Sequence, residues 1–331
     1  MINIILINLV ASILLLFSLN RLAYKFNLLD MPNNRKLHKK PVPIVGGIAI
    51  GLILVLSVYI VDFKNSQFNI ILSLSLLLLI VGILDDLKNL NAINKLILQS
   101  MPIFILVYKF DFYISDLGYY PFIGIIELGS FATIFTILSI FLFINACNYL
   151  DGIDGSFGLI FLSSILIIYF NIPNVDNDIN YFYISIIVPL IIFLFFNLSK
   201  YLPKIFLGDA GSLLLGYLLS CLMIISYNEY SVQPIIVAWS VNLIVYDFLC
   251  VNILRIRRKV KILKPANDHI QFVCLKYTNS IAKSNFIILS INIILALTGV
   301  FAYKYLNEFF SLVLFISFFF LYLFIRLKLK S

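Results

Sequence analysis

The chain has 331 residues, 62% of them hydrophobic and only 12% charged, which excludes a soluble globular domain and describes a polytopic membrane protein. Its net charge of +8 comes without the strand or motif context of nucleic-acid recognition, so it is assigned to loop bias and to attraction for anionic lipid headgroups, with no nucleic-acid partner. The four cysteines have no CxxC spacing, which argues against a zinc site or a disulfide framework.

Crossing the hydrocarbon takes a run of about 20 apolar residues. Such runs predict eleven helices, near 2–20, 44–61, 68–84, 92–108, 131–149, 155–170, 181–198, 211–227, 233–254, 284–303 and 309–325. The fold class is therefore an all-α integral membrane protein with about 11 transmembrane helices in a single polytopic domain, 1–331. The first run lacks a positive segment ahead of it and is read as an uncleaved span. Assigning alternate loops to opposite sides leaves only Lys64, Lys109 and Lys304 of the 24 basic residues on one side. The basic side is cytoplasmic, which puts the N-terminus outside and the C-terminus, with Arg326, Lys328 and Lys330, inside. The external acids Asp111, Asp116, Glu127, Asp176 and Asp178 are scattered among Asn, Tyr and Ser and read as ordinary solvated loop charges. No internal repeat is visible.

In chain order, the first polar feature is DMPNNRKLHKKPVPIVGG at 30–47, a basic loop holding His38 and Lys40 that leads through Pro43 into Gly46-Gly47. The end of the third span carries Asp85-Asp86, followed by Lys88, Lys95 and Gln99. Adjacent carboxylates repel, so they either meet water at a span end, share a divalent metal, or yield one carboxylate basic enough to take a proton. The two lysines suit phosphate oxygens. Behind the fifth span lies NACNYLDGIDG, with Asn145 and Asn148 a helical turn apart and Asp151 and Asp154 each followed by glycine. Glycines let backbone approach a ligand, and carboxylates and amides are hard oxygen ligands or donors. The third cluster, GDAGS at 208–212, opens a helix with small residues around Asp209. A helix N-terminus is an anion site, and an aspartate there can hold Mg²⁺ against a phosphate; the plain alternative is close glycine packing between helices.

Asp247 is the one acid deep inside a span, either functional or a partner in a hydrogen bond between helices. After it, 255–264 holds six basic residues, and the loop ends in Asp268 and His269. His38 and His269 are the chain's two histidines.

Taken together and in this order, these segments resemble the polyprenyl-phosphate N-acetylhexosamine-1-phosphate transferases, glycosyltransferase family 4. That family includes the undecaprenyl-phosphate GlcNAc-1-phosphate transferases and phospho-MurNAc-pentapeptide translocase. The resemblance runs from about Leu28 to His269 and rests on Asp85, Asp86, Lys95 and Gln99, on NxxNxxDGxDG from Asn145 to Gly155, and on GDxGS from Gly208 to Ser212. The PxxGG pattern of Pro43, Gly46 and Gly47 is similar to the GlcNAc-1-phosphate branch. The resemblance implies transfer of a sugar-1-phosphate from a UDP-sugar to undecaprenyl phosphate, with release of UMP, at the cytoplasmic face of a bacterial inner membrane. It implies Mg²⁺, with Mn²⁺ as a substitute, held by Asp209. Asp85, with Asp86 in support, would serve the lipid phosphate, and His269 the reaction at the diphosphate. Asn145, Asn148, Asp151 and Asp154 would bind the nucleotide side of the donor, and Lys95 and Lys40 would neutralise phosphate. A homodimer is left open.

One departure stands out. Where the family carries an HIHH-like cluster, this chain has His269-Ile270-Gln271-Phe272, which bears on sugar specificity, rate and competence. Two other readings follow: a non-catalytic relative that binds lipid phosphate, or an ion-coupled secondary transporter. The second would place its acids near the midplane on broken helices, whereas these cluster at span ends.

Overall fold

The computed structural model describes residues 2–32, 38–61, 63–261 and 266–329; the 33–37 stretch of the first basic loop, Lys264 and Lys330 lie outside the described residues. The described chain is all-helical apart from two short antiparallel pairs. Among the described residues, eight helices are long and apolar enough to cross a membrane, and a ninth span results if one bent pair is counted as a unit. The chain is an all-α, multi-pass membrane protein.

The helices start where polar side chains can cap them. Asn65 and Asn91 accept from the amides of Gln67 and Asn94 at 2.9 and 2.8 Å, and Asp176 accepts from Ile179 at 2.8 Å. Asn89 and Asn279 close two helices in the left-handed region, at φ 49° and 50°, where asparagine is among the tolerated residues.

The residues divide into two compact units. Unit 1 comprises Met1–Phe110 and Val175–Leu218. It contains α1 (Ile2–Lys25), the pair β1 (Leu29–Asp30) and β2 (Val42–Pro43), α2 (Gly46–Ile60), α3 (Ser66–Lys88), α4 (Ala92–Phe104), α7 (Asn177–Leu198) and the first part of α8 (Gly208–Asn228). Its core is aliphatic and aromatic, with Phe68 against Phe182 at 4.8 Å between ring centroids. The start of α8 is fixed by backbone. Gly46 and Gly47 donate to the carbonyls of Phe206 and Leu207 at 3.0 and 2.9 Å, and Phe206 donates to Pro43 at 2.8 Å. A side chain on Gly47 would run into the backbone of Gly211, and one on Gly82 into that of Ala210. Glycine on α2 and α3 therefore lets both helices close on the first turn of α8.

Unit 2 comprises Asp111–Asn174 and Leu219–Ser331. It contains the hairpin β3 (Asp116–Tyr120) and β4 (Gly124–Glu127), α5 (Ala132–Leu150), α6 (Ser156–Tyr169), the rest of α8, α9 (Pro234–Ser240), α10 (Asn242–Arg257), α11 (Ile270–Thr278), α12 (Ile281–Tyr305) and α13 (Glu308–Lys328). Trp239 is fully buried here beside Phe315 and Phe318, and its Nε1 donates to Ser311 Oγ at 2.9 Å. Gly299 leaves the room that the indole fills.

Two expected spans differ in detail. The run at 233–254 is not one helix: α9 and α10 meet at Val241 with a 72° bend. The Asn242 amide stabilises the break by donating to the Trp239 carbonyl at 2.7 Å, which takes a backbone acceptor that the interrupted helix would leave unmet. The run at 92–108 holds Pro102, which has no N–H, and the helix continues past Phe104 as a π-helical turn, Ile105–Lys109. Of the loop acids read as ordinary solvated charges, three have structural partners, although Asp176 stays exposed. Asp178 is buried and accepts from the Asn65 amide at 2.7 Å, and Asp176 caps α7. Asp116 accepts from Ser115, Gly118 and Tyr227. Burial pushes the Asp116 carboxyl up, but these hydrogen bonds outweigh it and hold the group below its ordinary value.

Candidate active site

In unit 1, α3 ends on Asp85 and Asp86, and the left-handed Asn89 turns the chain so that the Leu90 amide donates to Asp85 Oδ1 at 2.9 Å. The other Asp85 oxygen lies 2.7 Å from Lys95 Nζ on α4, and the same ammonium is 3.2 Å from Asp209 Oδ1 on α8. Asp86 does something different. Its two oxygens accept from the amides of Asp209 and Ala210 at 2.9 and 3.1 Å. The helix N-terminus anticipated as a phosphate site is thus occupied by a carboxylate of the chain itself, which satisfies two amides that would otherwise lack a helical partner and complements the helix dipole. Gly208 makes this approach feasible: it sits at φ +76°, and a Cβ on it would come 2.7 Å from Asp86 Oδ2.

Asp85, Asp86, Lys95 and Asp209 are therefore one cluster. The side chains of Asp85 and Lys95 are 8% and 14% exposed, while Asp209 keeps 33%. Two carboxylates, Asp85 and Asp209, face one ammonium, and a third, Asp86, lies beside them on the α8 amides, so the cluster is rich in acidic oxygens in a shielded place. Among the described residues no three His, Cys, Asp or Glu side chains form a ready metal cage. Mg²⁺ does not require one, because it retains waters and commonly takes one or two carboxylates together with substrate phosphate. The donor set and its charge fit such an ion. The Lys40 side chain is exposed and its carbonyl faces His38 Nδ1 at 2.8 Å; the other ring nitrogen of His38 is 2.9 Å from Asp30.

In unit 2, Asn145, Asn148, Asp151 and Asp154 lie at the end of α5 and in the turn leading to α6, all four half-buried. The turn is tightly built. Asp151 caps α5, Ser156 Oγ donates to the Leu150 carbonyl at 2.6 Å, and Gly155 passes into α6 at φ +76°. Asn285 on α12 donates to the Asp154 carbonyl at 2.7 Å. Gly152 leaves space for the start of α11: a Cβ on it would meet the Phe272 ring at 2.7 Å and Gln271 Nε2 at 2.8 Å. Gln271 also donates to the Tyr149 carbonyl at 2.7 Å. The two residues that depart from the family's histidines therefore brace this turn.

His269 is buried directly before α11, and its Nδ1 is 2.7 Å from Asp247 Oδ2. A carboxylate only accepts, so the proton between them belongs to Nδ1. Nε2, the acceptor end of the ring whenever it is neutral, has no hydrogen-bond partner among the described residues. Asp247 Oδ1 accepts from the Ile270 amide at 3.0 Å and from Tyr322 and Arg326, each at 2.8 Å. Arg255 grips Asp268 through two bonds of 2.8 and 2.7 Å. Burial pushes the Asp268 carboxyl up, yet Arg255 outweighs it and holds that carboxyl below the usual aspartate range. Sequence reading saw Asp247 and His269 separately and missed Arg255, Tyr322, Arg326 and Asn285. The one available signal was that an acid inside a span demands a partner.

Residues 68–227 match the family model described as Glycosyl transferase family 4. The chain is similar to the undecaprenyl-phosphate alpha-N-acetylglucosaminyl 1-phosphate transferase of Escherichia coli K12, 26% identical over 316 residues, or 93% of this chain and 86% of that protein. Its counterpart in Yersinia pestis is 26% identical over 318 residues, covering 94% and 87% of the two chains. The probable undecaprenyl-phosphate N-acetylglucosaminyl 1-phosphate transferase of Bacillus subtilis is 28% identical over 287 residues, covering 85% and 78%.

Proposed function

We propose, from its similarity to glycosyl transferase family 4 and to undecaprenyl-phosphate N-acetylglucosaminyl 1-phosphate transferases, that this chain is an enzyme of that family transferring a sugar-1-phosphate of the N-acetylhexosamine class from a UDP-sugar to undecaprenyl phosphate. The lipid phosphate oxygen attacks the β-phosphorus of the donor, the bond to UMP breaks, and UMP leaves with the electron pair. One phosphoanhydride replaces another, so the reaction is near-balanced and reversible by UMP.

The observation that carries this reading is the Lys95 ammonium shared by Asp85 and Asp209. Two polyanions must approach each other, and a cluster of carboxylates around one movable cation is suited to receive both a divalent ion and phosphate. Asp209 would hold Mg²⁺, or Mn²⁺ in its place; when bound, the ion neutralises charge on the diphosphate and on departing UMP. Asp86 fixes Asp209 by capping α8. Asp85 accepts the proton of, or orients, the lipid phosphate, and Lys95 exchanges a carboxylate for a phosphate oxygen as substrate arrives. Lys40, exposed on its loop, adds positive charge for the same anions. Asn145, Asn148, Asp151 and Asp154 bind the nucleotide side of the donor, and His269 directs Nε2 at the diphosphate.

The proposal extends to placement. Counting the eight long helices, the bent α9–α10 pair and the shorter α2 and α6 gives eleven crossings. With basic loops inside, the N-terminus is external and the C-terminus cytoplasmic, in a bacterial inner membrane. Purified protein given undecaprenyl phosphate, Mg²⁺ and a panel of UDP-N-acetylhexosamines should release UMP only when lipid and metal are both present, with one preferred donor. Folded protein that releases none with any donor would favour the non-catalytic relative.

A further inference from the structure

α13 packs Phe315 and Phe318 on Trp239 but leaves many of its apolar side chains exposed, Phe310, Phe320 and Phe324 among them. Among its described residues two are buried, Ser311 and Arg326. Ser311 holds Trp239. Burying an arginine while leaving phenylalanines exposed reverses the usual order, and it is stable only if the cation has a specific counter-charge. Arg326 has one. It donates to Asp247 Oδ1 at 2.8 Å and to Tyr322 Oη, one turn earlier, at 3.1 Å, and its second terminal nitrogen donates to the Asp268 carbonyl. Tyr322 itself donates to Asp247 Oδ1.

The two oxygens of Asp247 are thereby given different tasks. Oδ1 receives Ile270, Tyr322 and Arg326, while Oδ2 faces His269 Nδ1. Three donors on one oxygen prevent the carboxylate from turning, so the other remains aimed at the ring. The backbone on the N-terminal side of His269 is held as well: Arg326 binds the Asp268 carbonyl and Arg255 its carboxylate.

We infer that Arg326 and Tyr322, on the last helix, are positioning residues that set the tautomer and aim of His269 by acting through Asp247. Neither touches the reacting atoms. Their orienting effect is a property of unit 2 alone; its kinetic consequence rests on the transferase reading above.

The test uses the full chain with ¹⁵N-labelled histidine. The chain has two histidines, so a His38→Gln variant assigns both spectra. Wild type should show His269 with a protonated Nδ1 and a bare Nε2. Arg326→Met should give mixed tautomers and lower kcat for UMP release by about ten- to a hundredfold, the scale of a misaligned reacting group, with KM for undecaprenyl phosphate little changed. Arg326→Lys should restore part of both signals. Tyr322→Phe, which removes only a hydroxyl, should show the same trend more weakly and covers the case in which Arg326→Met does not fold. Ser317→Ala, on the exposed side of α13, should change nothing. A pure Nδ1–H tautomer and wild-type kcat in both the Arg326 and Tyr322 variants would overturn the inference, as would a changed tautomer with full activity. If wild type shows the expected tautomer and releases no UMP, the transferase reading is what fails, and the variant spectra alone decide the positioning role.

Discussion

Replacing Lys95 by methionine keeps the length and apolar stem of the side chain and removes the charge shared by Asp85 and Asp209. Truncating one partner of a buried ion pair costs about 3–5 kcal/mol when the other charge is stranded. Here the stranded groups differ: Asp85 is 8% exposed and bears most of the penalty, while Asp209 at 33% is partly screened by water. Two features reduce the loss further, because Asp85 keeps the Leu90 amide and carboxylates this close can share a proton. A net cost of about 2–3 kcal/mol in the absence of divalent metal is expected. Adding Mg²⁺ should restore much of it, since the variant cluster has lost its internal cation and gains more from an external one. Thermal unfolding in detergent, with EDTA and then across a Mg²⁺ titration, measures both effects. The metal-induced gain should be larger in Lys95→Met than in wild type, and UMP release should remain low because phosphate has lost its partner. A variant as stable as wild type in EDTA, with the same response to Mg²⁺, would refute the account of Lys95 as the cluster's resident cation.

Asp209→Asn should abolish Mg²⁺-dependent UMP release, and Asp85→Asn should cut turnover severely while UDP-sugar binding by calorimetry stays near wild type. His269→Ala should lower turnover without eliminating it. Gly47→Ala forces a methyl into the backbone of Gly211; overpacking of this kind costs about 1–3 kcal/mol and should appear as a lower thermal midpoint together with weakened activity, since it displaces the turn that carries Asp209. Asp268 supplies a pH test. Its folded carboxyl lies below the unfolded value, so its stabilisation is fully present above about pH 4, the unfolded aspartate value, and is lost as pH falls through the folded value. An Asp268→Asn chain should lose stability at neutral pH and show a flatter acid limb in thermal unfolding than wild type.

Hydropathy and capping residues determined much of the architecture. Helix positions follow from apolar run length because, in lipid, each segment must satisfy its own backbone, and that requirement is local. The caps at Asn65, Asn91 and Asp176 act within three residues and were equally local. The bend at Val241 was not legible, since nothing in the apolar run marks it and an amide side chain at Asn242 stabilises it. At the candidate site, sequence alone marked Asp85, Asp86, Asp209, the DGIDG turn and His269, because charge is costly near the hydrocarbon and glycine lets backbone come close. What those residues do to one another came from tertiary structure. Asp86 caps a helix whose first amides lie 123 residues further along the chain, and Asp247 finds Arg326 79 residues away. Such pairings depend on which helices pack closely, and close packing is decided by small residues such as Gly47 and Gly82, which leave no periodic signature. Arg326 reads in sequence as a topology marker at the end of a span; only the packed fold turns it inward, because a buried carboxylate at Asp247 needs a counter-charge and α13 can supply it.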